Sequence, residues 1–178
     1  MTSKENGIVA RLAKLLSDVE SNELKATLAS TLFIFILMAS YYILRPVRDA
    51  MASDWTDSEV SFLWNINFFV SAAIVSVYGY AVSQVRLRNV VPVMYGFFAA
   101  TFLAFYFSIS LVTDRVLVDK LFYLWVSVFA LFNVSVFWTF MADTFNPQQA
   151  KRLFGIIGAG ASAGALFGPA IPALFAGI

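Results

Sequence analysis

Five stretches of this chain run apolar past the roughly 18 residues that mark a membrane span, and the few charged residues fall into short segments between them. No other feature limits the fold as strongly. A backbone lying in hydrocarbon has no water to bond, so each segment must satisfy its own N–H and C=O groups, as a helix does. The composition fits that reading: 60% of the residues are hydrophobic and 13% charged, against roughly 45–50% apolar and about 25% charged in a soluble domain. Too few polar side chains exist to clothe a water-soluble core of this size. The expected fold class is therefore all-α, a polytopic transmembrane helix bundle whose main partner is the lipid bilayer.

The same composition excludes several functions. A net charge of +1 provides no basic face able to neutralise many phosphates, so no nucleic-acid partner is expected. The chain has neither Cys nor His, which removes disulfides, thiol catalysis, Cys/His zinc sites, haem ligation by His and His general bases. Carboxylates alone could still bind a metal, but no metal and no cofactor are expected, and no nucleophile–base pair points to an enzyme.

Residues 1–25 read as a cytoplasmic amphipathic segment: Ile8, Leu12, Leu15, Leu16 and Val19 share one helical face, with Arg11, Lys14 and Asp18 elsewhere, as in a helix lying on a membrane surface. The membrane domain, 26–178, is expected to hold about five spans, near 26–50, 61–83, 89–113, 121–142 and 153–176. The first is too long for a signal-peptide core and reads as a retained span. Its helix is expected to continue past Pro46, which transmembrane helices tolerate when neighbours satisfy the freed carbonyl. The fifth runs to the last residue without a polar closing segment, so the chain reads as cut. Beside the spans, Lys4, Arg11, Lys14, Lys25, Arg86, Arg88, Lys151 and Arg152 lie on the amino-terminal side, against Arg45, Arg48, Arg115 and Lys120 opposite. This bias places the amino terminus in the cytoplasm.

The stretch Tyr41-Tyr42-Ile43-Leu44-Arg45-Pro46-Val47-Arg48-Asp49 stands out because two guanidiniums follow a long apolar helix directly. At helical spacing Tyr41, Arg45, Arg48 and Asp49 share a broad face. Facing lipid at depth would cost each charge about 2.5–3.5 kcal/mol on insertion scales, which favours a watery cavity, and arginine suits phosphate or carboxylate. The alternative is that both arginines snorkel at the outer interface, since Arg48 lies ~30 Å along the helix, with Arg45 and Asp49 pairing at i,i+4. The fourth helix mirrors the first: Asn133, Ser135, Trp138, Thr139 and Asp143 interrupt an aromatic run that ends in an acid. Asn133 is a candidate ligand contact or an interhelical hydrogen-bonding group, a contact worth ~1 kcal/mol. Asn65 and Asn67 point to different faces of the second helix and read first as structural.

Gly160, Gly164 and Gly168 recur every four residues and form a smooth ridge for close helix packing. The Gly158-to-Gly164 stretch is no dinucleotide loop, because no strand precedes it. Charged ends on helices one and four fit a three-plus-three inverted repeat, a common plan in secondary transporters.

Two stretches carry a family resemblance: Tyr-Tyr-Ile-Leu-Arg-Pro-Val-Arg-Asp at 41–49 and Phe-Trp-Thr-Phe-Met-Ala-Asp-Thr-Phe-Asn-Pro-Gln-Gln-Ala-Lys-Arg-Leu-Phe-Gly at 137–155. They resemble the nucleotide transporter family, the ATP/ADP translocases of plastids and intracellular bacteria and their bacterial relatives. The resemblance covers roughly 25–178. It implies a major-facilitator-like amino-terminal half lacking its sixth helix, whose partners are the missing carboxy-terminal helices of the same carrier and a small anionic substrate such as ATP or ADP. It matches Arg45 to the family's first arginine, Arg48 to a lysine that handles nucleotide, Asp49 to the following acid, and Asp143, Lys151 and Arg152 to the fourth-helix acid and the Ala-Lys-Arg motif. Pro46 stands where the family has an acid.

The functional expectation is a multi-pass carrier in a bacterial inner membrane that exchanges an anionic phosphorylated metabolite by alternating access. Tyr41, Arg45, Arg48, Asp49, Asn65 and Asn133 are the candidate substrate contacts, and Asp143, Lys151 and Arg152 the candidate gate. The alternatives are a carrier of another organic anion or a non-transporting scaffold in which the charges serve topology and the glycine ridge serves assembly.

Overall fold

The computed structural model describes residues 19–20, 22–84, 87–112 and 114–175. Most of the amphipathic segment expected at 1–25 lies outside them, as does Arg86. Among the described residues all regular structure is helical: α1 Leu24–Met51, α2 Asp57–Gln84, α3 Leu87–Leu111, α4 Arg115–Thr144, α5 Pro147–Phe167 and the short α6 Ala170–Phe175, with a 3-10 turn at Ala52–Asp54. Among the described residues five stretches are long and apolar enough to cross a membrane.

The helices outrun the apolar stretches that reveal them, because polar flanking residues continue a helix once it has left the hydrocarbon. α1 passes through Pro46 and ends at Met51. α5 differs most from expectation, starting at Pro147 and not near Leu153. Asn146 caps it: its side chain accepts from the Gln148 and Gln149 backbone N–H groups at 3.0 and 2.9 Å, while the Gln149 side chain accepts from the Asn146 N–H at 3.1 Å. With Pro147 in the first turn, where its missing N–H costs nothing, this capping box makes a polar stretch a firm helix start. At the other end, α5 stops at Phe167, and α6 resumes beyond Pro169.

The chain divides into two compact units, residues 1–42 with 141–178, and residues 43–140. In the first, α5 lies against α1 through the glycine ridge. A Cβ on Gly160 would fall 2.5 Å from the Thr31 carbonyl oxygen, one on Gly168 2.7 Å from that of Ala39, and one on Gly164 would overlap that of Phe35. The residues are glycine because backbone meets backbone there, and the helices gain dispersion contacts that lipid would otherwise make. Ile34, Leu153 and Ile157 are fully buried in this unit.

In the second unit α4 is the central helix. Phe98 on α3 packs on Trp125, Phe129 and Phe132 of α4 at ring separations of 5.1–5.9 Å, and Tyr78 on α2 meets Phe132 edge-on at 5.1 Å. Polar side chains join the helices too: Trp125 Nε1 donates to Thr101 Oγ1 at 2.8 Å, and Tyr95 Oη to the Asn133 carbonyl at 3.0 Å. α2 is the opposite case, with Phe62, Trp64, Phe68 and Phe69 between 64% and 70% exposed. Lipid or further helices can cover such a surface; water cannot do so without cost.

Candidate functional site

The carboxy-terminal turns of α1 bring Arg48 against α4. Its side chain is 16% exposed, and its guanidinium carbon stands 5.1 Å from the centre of the Tyr123 ring. Nη1 donates to Ser127 Oγ at 3.2 Å, and Nε and Nη2 both donate to Asp49 Oδ1, at 2.9 and 2.6 Å. Among the described residues three of the guanidinium's five N–H groups are thereby used, and two remain. Ser127 in turn donates to the Tyr123 carbonyl at 2.9 Å, and the Tyr123 hydroxyl accepts from Trp64 Nε1 at 2.9 Å. The α4 residues that hold Arg48 are thus fixed from both sides.

Arg48, Trp64, Asn67, Tyr123, Ser127, Ala130 and Leu131 line a cavity of about 440 Å³, within the size range of small-molecule sites. Its wall joins one charged fork, one amide and one hydroxyl to aromatic faces. Within it the Arg48 guanidinium can hold an oxyanion by directed hydrogen bonds while an aromatic or aliphatic body lies on the rings.

The other expected contacts separate. Arg45, three residues before Arg48, is 48% exposed and reaches Asp49 Oδ2 at 3.7 Å. A three-residue step rotates a helix by about 60° short of a full turn, and that offset turns one arginine inward and the other outward. Asp49 bridges the two. Tyr41 belongs to the other compact unit, its ring 5.2 Å from that of Tyr42. Asn65 is exposed and donates to the Ser61 carbonyl one turn back at 2.9 Å. Asn67 takes the cavity position in its stead, although its place on the α2 face toward Arg48 is invisible without knowing how α2 is rotated. Asn133 is fully buried among the α4 aromatics and does not line the cavity.

The residues expected to gate are also redistributed. Asp143 and Lys151 are exposed, and among the described residues no ion pair joins Asp143 to Lys151 or Arg152. Arg152 instead donates through Nη2 to Glu23 Oε1 at 3.0 Å and to Glu20 Oε1 at 3.3 Å, and Gln149 Nε2 donates to Glu23 Oε1 at 2.9 Å. Glu23 is buried at the start of α1. The Gln149 hydrogen bond, with the Glu20 N–H and the Arg152 charge behind it, outweighs burial and holds the Glu23 carboxyl below the ordinary glutamate range. This latch joins the amino-terminal ends of α1 and α5. Sequence reading missed Glu23 because it sits in a short polar segment resembling any other loop.

A second ion pair, Lys120 Nζ to Glu59 Oε1 at 2.8 Å, ties the start of α4 to the start of α2, with Trp55 beside it, its ring 5.9 Å from the lysine nitrogen.

Comparison with models of known families, with curated proteins and with solved structures finds no match to this chain.

Proposed function

We propose that the chain is the amino-terminal portion of a secondary transporter that exchanges an anionic phosphorylated metabolite, with ATP and ADP as the favoured pair. The carrying observation is Arg48: a largely buried guanidinium on a membrane helix, held by Tyr123, Ser127 and Asp49 and lining a cavity with two N–H groups to spare. A charge buried in a membrane protein is costly, and such residues mark substrate pathways. A phosphate would take the open donors and compete with Asp49 for the rest.

Nucleotide specificity, a major-facilitator-like arrangement with a second helical half closing the cavity, a cytoplasmic amino terminus and a bacterial inner-membrane location belong to the same proposal. They rest on the resemblance of 41–49 and 137–155 to nucleotide transporters and on the distribution of basic residues. Exchange also rests on that resemblance.

The test is counterflow. The full-length protein is purified, reconstituted into liposomes with or without internal ATP, and supplied with radiolabelled ADP. Internal ATP accelerates uptake if the proposal is right; equal uptake with empty and loaded liposomes sinks it.

A further inference from the structure

Among the described residues two polar side chains of α2, Asn67 beside Arg48 and Ser71 one turn further on, have no partner. Among the described residues no hydrogen bond reaches the Asn67 amide, and both Asn67 Oδ1 and Ser71 Oγ are shielded from solvent. Ser71 is 8% exposed. This is unusual in the same helix, where Asn65 and Ser76 each bond the carbonyl one turn back, and a buried polar group in a membrane is expected to find a bond. Asn67 and Ser71 are one turn apart on α2. They line a second cavity of about 360 Å³ with Trp64, Phe68, Val75 and Leu131, and this cavity shares Trp64, Asn67 and Leu131 with the one that holds Arg48. The two adjoin along α2: a cationic end, then an amide and a hydroxyl between aromatic side chains. Trp64 is held in place by its bond to Tyr123.

We propose that Asn67 and Ser71 form a second subsite, which takes the uncharged planar ring of a ligand whose phosphates lie at Arg48. An amide offers a donor and an acceptor side by side, which matches the adjacent acceptor and donor on the edge of a nucleobase. Trp64 and Phe68 supply the faces on which such a ring stacks. The subsite rests on the phosphorylated-metabolite reading above, and it makes the substrate class one with two parts, phosphate and hydrogen-bonding heterocycle.

The experiment uses the full-length protein in ATP-loaded liposomes, with radiolabelled ADP as substrate and inorganic pyrophosphate as a competitor that has phosphates and no ring. Asn67→Ala is expected to raise the half-saturating ADP concentration about tenfold, the worth of a hydrogen bond or two at a closed site. Ser71→Ala, a gentler change made in case the first variant misfolds, raises it by a smaller factor of about three. Neither alters inhibition by pyrophosphate, whereas Arg48→Ala weakens ADP and pyrophosphate together. Equal weakening of ADP and pyrophosphate by Asn67→Ala, or no change in ADP from either α2 variant, overturns the subsite and leaves the phosphate site standing. Absence of ADP transport in the wild type overturns both.

Discussion

The guanidinium of Arg48 lies on the ring of Tyr123, 5.1 Å from its centre, and one turn further along α4 Ser127 accepts one of its N–H groups at 3.2 Å. An arginine stacked and hydrogen-bonded in this way is held in one orientation, so its remaining donors point in a fixed direction. A fixed fork recognises an oxyanion with little further loss of side-chain freedom.

Tyr123 has two separable roles. Tyr123→Phe keeps the ring beneath Arg48 and deletes the acceptor for Trp64, so it should destabilise the protein by about 1 kcal/mol or less, the usual worth of an interhelical hydrogen bond in a membrane. Tyr123→Leu also removes the cation–π contact and should cost about 0.5–2 kcal/mol more. Thermal unfolding in detergent reads both, and an equal midpoint for the two variants would show that the ring contributes nothing.

Glycine at 164 is required by contact with backbone, and glycine at 155 is not. A Cβ at Gly155 meets nothing within 4 Å, while one at Gly164 overlaps the Phe35 carbonyl and stands 2.9 Å from the Met38 Cβ. Gly164→Leu should therefore cost at least the ~1–3 kcal/mol of an overpacked contact. Gly155→Ala should be neutral or stabilise by up to about 1 kcal/mol through its better helix propensity. Size-exclusion profiles and unfolding midpoints of the two variants separate the cases.

The Glu23 latch gives a pH dependence of known sign. Its carboxyl is depressed in the folded protein, principally by the Gln149 amide, so the stability it contributes is present above the ordinary glutamate value of 4.5 and is lost as pH falls through the lower folded-state value. Glu23→Gln should be less stable than wild type across about pH 6–8, and the gap should close as the medium is acidified below that window. A gap that widens in acid would reverse the assignment.

The spans were legible in the sequence because hydrophobic length is a one-dimensional property, and so was the glycine ridge, since a four-residue repeat maps onto one helix face. Rotation about the helix axis was not. Arg45 and Arg48 look equivalent in a list of charges, as do Asn65 and Asn67, and in each pair only packing against α4 shows which side chain faces inward. The Arg152–Glu23 pair joins residues 129 positions apart, a separation across which no local pattern selects a partner.

Ligand-induced stabilisation tests the Arg48 site most directly. The full-length protein in detergent is heated with and without ATP, beside Arg48→Ala and Arg45→Ala. ATP should raise the unfolding midpoint of the wild type and of Arg45→Ala by similar amounts, because Arg45 is half exposed and away from the cavity lining, and should leave that of Arg48→Ala nearly unmoved. Equal stabilisation of all three proteins would contradict an anion site at Arg48.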